Sequence, residues 1–160
     1  MMISYLIAIA GSPNPPWPVD SSDSDPGSFT VNGQTVYVNT YIAYNALWDG
    51  SCWNVRTYHW ARVWNLPANE TFTWEFRHRP DTGDGFIAGD GPEETNQGSD
   101  NDGDDNENVA GVWEHDKSYY SYHSNPPAGQ TWSWSPYTEI RKNGNSVARC
   151  DVTIVLGHVP

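Results

Sequence analysis

Two Asn-Gly pairs, Asn32-Gly33 and Asn143-Gly144, each sit between runs that alternate bulky and polar residues. A two-residue hairpin turn needs positive φ at both central positions, which Asn-Gly tolerates, so both surrounding segments read as β-hairpins. Between them, residues 55–64 place Arg56, Tyr58, Trp60, Arg62 and Trp64 on one face, and Phe72, Trp74 and Phe76 repeat the alternation. Further strands fit residues 41–48, 109–113, 119–123 and 130–137, and no stretch carries an apolar stripe at helical spacing. A chain of 160 residues with 37% hydrophobic residues, including nine Trp and nine Tyr, has enough apolar surface for one core. The expected fold is therefore all-β: an immunoglobulin-like antiparallel β-sandwich of about eight to ten strands.

Three segments depart from that pattern. Residues 1–11, MMISYLIAIAG, carry Met1, Ile3, Tyr5, Ile7 and Ile9 at a period of two, which describes a strand with one bulky face. No Lys or Arg precedes the apolar stretch, which argues against a secretory leader. Residues 12–28 are rich in Pro, Ser and Asp and read as an extended linker reaching up to ~50 Å, leaving residues 29–160 as the β-domain. Within it, residues 81–108 hold ten of the twenty acidic residues, with Gly and Pro throughout, and read as a long loop.

The net charge of −12 repels phosphate backbones and anionic lipid heads, so nucleic-acid and membrane-surface roles are not expected. No apolar run approaches the ~20 residues of a membrane span. Cys52 and Cys150 suit a single disulfide in an extracellular setting, worth roughly 4 to 5 kcal/mol on the chain-entropy model; two unpaired buried thiols are the alternative. Asn69-Glu70-Thr71 is a glycan acceptor sequon. Asp100, Asp102, Asp104, Asp105 and Glu107 supply oxygens that would suit Ca²⁺. Asp105 replaces the EF-hand glycine, however, so only an irregular site is conceivable, and a solvated acidic loop is the plainer reading.

Coplanar exposed aromatics stack sugar rings, and Trp60, Trp64, Trp132, Trp134, Tyr119 and Tyr120 are the candidates, with Tyr122 and His123 extending the last patch. Large aromatics also fill cores and subunit contacts. Catalytic motifs are missing from the sequence. A carboxylate pair of Glu75 with Glu114 or Glu139 is the nearest approach to one, so no enzymatic activity is expected.

An alternating apolar strand left in water would aggregate, so residues 1–11 must add to a sheet edge. Burying the five large side chains yields about 8 to 15 kcal/mol, whereas ordering the segment costs roughly 11 to 22 kcal/mol, so the receiving edge must hide apolar surface of its own. In the alternating extension MMISYLIAIA, the connector and the small β-domain, the chain resembles subunits of donor-strand-exchanged surface fibres, the chaperone–usher pilin type and other immunoglobulin-like filament proteins. That resemblance implies an incomplete sandwich, head-to-tail polymerisation with identical subunits, and an extracellular structural fibre. The alternatives are self-docking of the strand and a secreted carbohydrate-binding module.

Overall fold

The computed structural model describes residues 13–67, 70, 72–80, 83–90, 94–100 and 111–160, with backbone alone for 94–100. Among them are eleven strands and no helix: β1 (Ser21–Val31), β2 (Gln34–Trp48), β3 (Trp53–Trp64), β4 (Phe72–Arg77), β5 (Phe86–Gly89), β6 (Glu94–Asp100), β7 (Val112–His123), β8 (Thr131–Trp134), β9 (Tyr137–Lys142), β10 (Asn145–Asp151) and β11 (Ile154–Gly157). They form a five-stranded sheet ordered β1-β2-β3-β7-β5, a four-stranded sheet ordered β10-β9-β4-β6, and the pair β11-β8. Every pairing among them is antiparallel.

Both Asn-Gly turns form as their chemistry requires. Asn32 and Gly33 lie at φ 50° and 80°, Asn143 and Gly144 at φ 51° and 78°. Val31 pairs with Gln34 and Lys142 with Asn145, so each loop holds two residues and fixes its hairpin's register. The two larger sheets pack face to face. Val36, Val38, Ala61, Val63, Trp113 and Tyr119 of the first meet Phe72, Phe76, Ile140 and Ala148 of the second in one core. Val55, Trp134, Ile154 and Leu156 form a second cluster that anchors β8 and β11 to one end of the first sheet.

Some expectations need correction. Residues 12–28 are not an extended linker throughout, because Ser21 onward pairs with β2 as an edge strand. Ser and Asp are poor strand formers, but an edge leaves their side chains in water and accommodates Pro26. Asp20 also fastens the approach: its N–H donates to the Tyr44 carbonyl at 2.8 Å and its carboxylate accepts from the Ala46 N–H at 2.7 Å. The segment 81–108 is not loop alone, since β5 and β6 lie inside it and add to β7 and β4. Residues 109–113 and 119–123 are not separate strands; β7 runs unbroken from Val112.

The expected disulfide is not formed, and both thiols are free. Cys52 sits in the β2–β3 turn, where its N–H donates to the Asp49 carboxylate at 2.9 Å. Cys150 points inward from β10 and packs with Ile42 and Val152. Ile42 lies six positions before the end of β2 at Trp48, roughly 20 Å along the strand, well beyond the ~7 Å that a disulfide can bridge between Cα atoms.

Candidate functional site

Among the described residues, one side of the two-sheet stack is closed and the other is open. On the closed side β1 lies against β10. The Arg149 N–H donates to the Asp25 carboxylate at 2.9 Å, and a Cβ on Gly27 would stand 2.8 Å from the Val147 carbonyl oxygen. On the opposite side the four-residue β5 covers only the last residues of β7, from Ser121 to His123. Asp90 takes the Tyr120 carbonyl with its N–H at 2.7 Å. From Val112 to Tyr119, no strand among the described residues pairs with the outer edge of β7.

Aromatic side chains floor this open edge. Trp113, His115 and Tyr119 point inward from β7, and Trp74 of β4 meets Trp113 at 4.8 Å and His115 at 5.7 Å between ring centroids. Phe76 stacks on His115 at 5.5 Å and on His59 at 5.3 Å. Trp74 and His115 stay half-exposed while Trp113 and Phe76 are buried, so the slot has a finished floor and an unfinished rim. Midway along it Asp116 and Lys117 are exposed. Charges on an open edge discourage indiscriminate strand pairing.

Deeper in the interior lie polar groups that the strand pattern did not flag. His59, His78 and His123 are buried among aromatic rings. His59 shares hydrogen bonds with the Thr138 hydroxyl at 2.8 Å and the Thr57 hydroxyl at 3.2 Å. His123 does so with the Ser121 hydroxyl at 2.8 Å, and it donates to the Asp84 carbonyl at 3.0 Å. His78 donates to the Asp90 carbonyl and stacks on Tyr119 at 4.5 Å. Loss of hydration holds all three below the usual imidazole range, His78 at about 4, with the nearby Arg79 charge adding to the effect on His78. Among the described residues no group of three or more His, Cys, Asp or Glu is placed to hold a metal.

The structure disperses the expected sugar platform. Trp60 is buried on the outward face of β3, donating its Nε1 to Glu114 at 2.7 Å. Trp134 and Tyr119 are interior, and Trp132 packs against the second cluster with its Nε1 on the Ser124 carbonyl at 2.8 Å. Trp64, stacked on Tyr37 at 5.6 Å, and Tyr120 keep surface at opposite ends of β3 and β7, about 26 Å apart along the strands, so they cannot hold one sugar. Of the extended tyrosine patch, Tyr122 is exposed with Tyr120 while His123 is fully buried.

The carboxylates Glu75 and Glu139 do face each other across β4 and β9. Both are buried and both are clamped by Arg141, at 2.7 Å for Glu75, while the Tyr137 hydroxyl donates to Glu75. This is an ion-pair cluster. Glu114 is instead bound to Trp60 and Arg62.

The strand residues Met1, Ile3, Tyr5, Ile7 and Ile9, the sequon Asn69, and Asp102, Asp104, Asp105 and Glu107 lie outside the described residues. Asp100 ends β6. No helix among the described residues is long and apolar enough to cross a membrane. Comparisons with protein-family models, with curated proteins and with solved structures find no match for this chain.

Proposed function

We propose that this protein is a structural subunit of an extracellular filament, in which residues 1–11 of one copy add as a strand to the open β7 edge of the next. The observation that carries the reading is that edge: from Val112 to Tyr119 it has no partner strand among the described residues, and Trp74, Trp113 and His115 line the space beneath it. An incoming strand gains the ladder hydrogen bonds of β7 and covers half-exposed aromatic surface, which supplies the stabilisation that burial of its own side chains does not. The two face-to-face antiparallel sheets support this reading, in which a neighbour supplies a missing strand to a β-sandwich.

The position of the tether fits the same reading. The Asn14 N–H donates to the Tyr58 hydroxyl at 3.4 Å on the outward face of the first sheet, so residues 1–12 have about 40 Å of reach from Pro13. A contact between unlike surfaces of identical copies propagates into an open filament.

The test compares the full chain, a variant lacking residues 1–11, and Ile7→Asp by light scattering after size exclusion and by negative-stain imaging. The full chain should form filaments, and the truncated chain should stay monomeric and gain thermal stability when a synthetic peptide of residues 1–11 is added. A full chain that remains monomeric at every concentration, or filaments that persist after truncation, would overturn the proposal.

A further inference from the structure

The chain has only eight Lys and Arg residues against twenty acids, yet Arg77, Arg79 and Arg149 converge on one open depression of about 430 Å³. It lies where β4 ends and β9 begins, away from the β7 edge, and Tyr137, Ser135 and Asp84 complete its polar lining. Arg141 is the fourth cation of the neighbourhood and is committed to Glu75 and Glu139.

Among the described residues, Arg79 and Arg149 have no carboxylate at ion-pair distance. Arg79 rests over the Phe86 ring at 4.9 Å, and its buried Nε has no hydrogen-bond partner. Arg149 rests over the Tyr137 ring at 3.9 Å and is exposed on its other side. An aromatic face holds each planar fork in place while leaving its N–H groups to a ligand. Arg79 and Arg149 thus bring two guanidiniums to a depression whose described lining includes one carboxylate, Asp84, on a molecule of net charge −12.

Asp84 narrows the ligand. The turn Gly83-Asp84-Gly85 holds φ of 78°, 49° and 65°, and a Cβ at Gly85 would stand 2.2 Å from Trp132 Nε1, so the turn is tightly seated. The Asp84 carboxylate accepts weakly from the Ser133 N–H at 3.4 Å and keeps acceptor capacity for a ligand hydroxyl. A carboxylate beside the arginines disfavours a dianion such as phosphate and favours a monoanion that also carries hydroxyl donors. The volume exceeds that of a bare carboxylate and falls within the range of small-ligand sites.

We propose that this depression binds a uronate, one sugar-acid unit of an acidic glycan, with its carboxylate on Arg79 and Arg149 and its hydroxyls on Asp84 and Ser135. The site is independent of the β7 edge and of polymerisation. Isothermal titration of the full chain at constant ionic strength, with sodium glucuronate, glucose, acetate and a tetraglutamate peptide as probes, tests it. Glucuronate should bind saturably and more tightly than the other three. Arg79→Gln and Arg149→Gln should each weaken it by about tenfold or more at unchanged melting temperature, since a charge-assisted pair is lost. Arg56→Gln, on the other sheet, should leave it unchanged. Absence of saturable glucuronate binding, or equal binding of acetate, overturns the proposal. Tighter binding of the peptide also overturns it, in favour of an acidic protein partner.

Discussion

Acidification from about pH 7 to about pH 5 should destabilise this protein through histidines that its core holds neutral. His78 is the clearest case: its ring lies flat on Tyr119 at 4.5 Å, its N–H is spent on the Asp90 carbonyl, and burial lowers its pKa from 6.5 to about 4 with help from the nearby Arg79 charge. Between those two values the unfolded chain binds a proton that the folded chain refuses. The stability this group supports is therefore complete above about pH 6.5 and is lost as pH falls toward 4, at about 1.4 kcal/mol per pH unit. Integrated from pH 7 to pH 5, the loss is about 2 kcal/mol from His78 alone, and His59 and His123 add to it with the same sign. Urea denaturation at the two pH values measures it. Carboxylates titrate too, and relief of the net negative charge acts in the opposite direction, so the informative quantity is the difference between the wild type and His78→Gln, whose amide can still donate to Asp90. The variant should be less stable at pH 7 and lose about 2 kcal/mol less on acidification. An identical pH dependence in both proteins would refute the account of His78 as a buried neutral imidazole.

Other outcomes follow from the packing. Phe76→Ala should cost about 3 to 5 kcal/mol in chemical denaturation, because the ring is fully buried between His59 and His115. Gly144→Ala should cost only about 1 kcal/mol, since no atom lies within 4 Å of the added Cβ and the left-handed φ of 78° is the sole penalty. Reductant should leave the melting temperature unchanged. A thiol-specific reagent should label the half-exposed Cys52 first and reach Cys150, whose thiol burial pushes up to about 12, only on unfolding. A protective effect of oxidation on the folded chain would contradict free thiols.

Fold class was legible because it depends on local rules. Asn-Gly accepts positive φ at both positions more readily than other pairs, so Asn32-Gly33 and Asn143-Gly144 mark their hairpins without tertiary information. Alternation in residues 55–64 and 72–76 likewise fixes which side chains share a face. It does not say whether that face meets solvent or another layer, and this is why Trp60, Trp134 and Tyr119 were eligible as a sugar platform until the packing buried them. The arginine depression left no local trace. Arg77 and Arg79 come from the end of β4, Arg149 from β10 and Asp84 from the turn before β5, and these meet only when the sheets assemble.

Local sequence determined that this chain builds β-structure around an aromatic core, and composition that it carries a strong negative charge, since backbone turn preferences and apolar alternation act within a few residues. Strand order was decided in three dimensions. Polar residues 21–28 became an edge strand because β2 offered a long free ladder, Cys52 and Cys150 stayed apart because one follows the end of β2 and the other packs against its middle, and among the described residues β5 is too short to pair with more than the end of β7. Each outcome depends on the competition among distant segments for the same hydrogen bonds and the same buried surface, a competition that no single stretch of sequence contains.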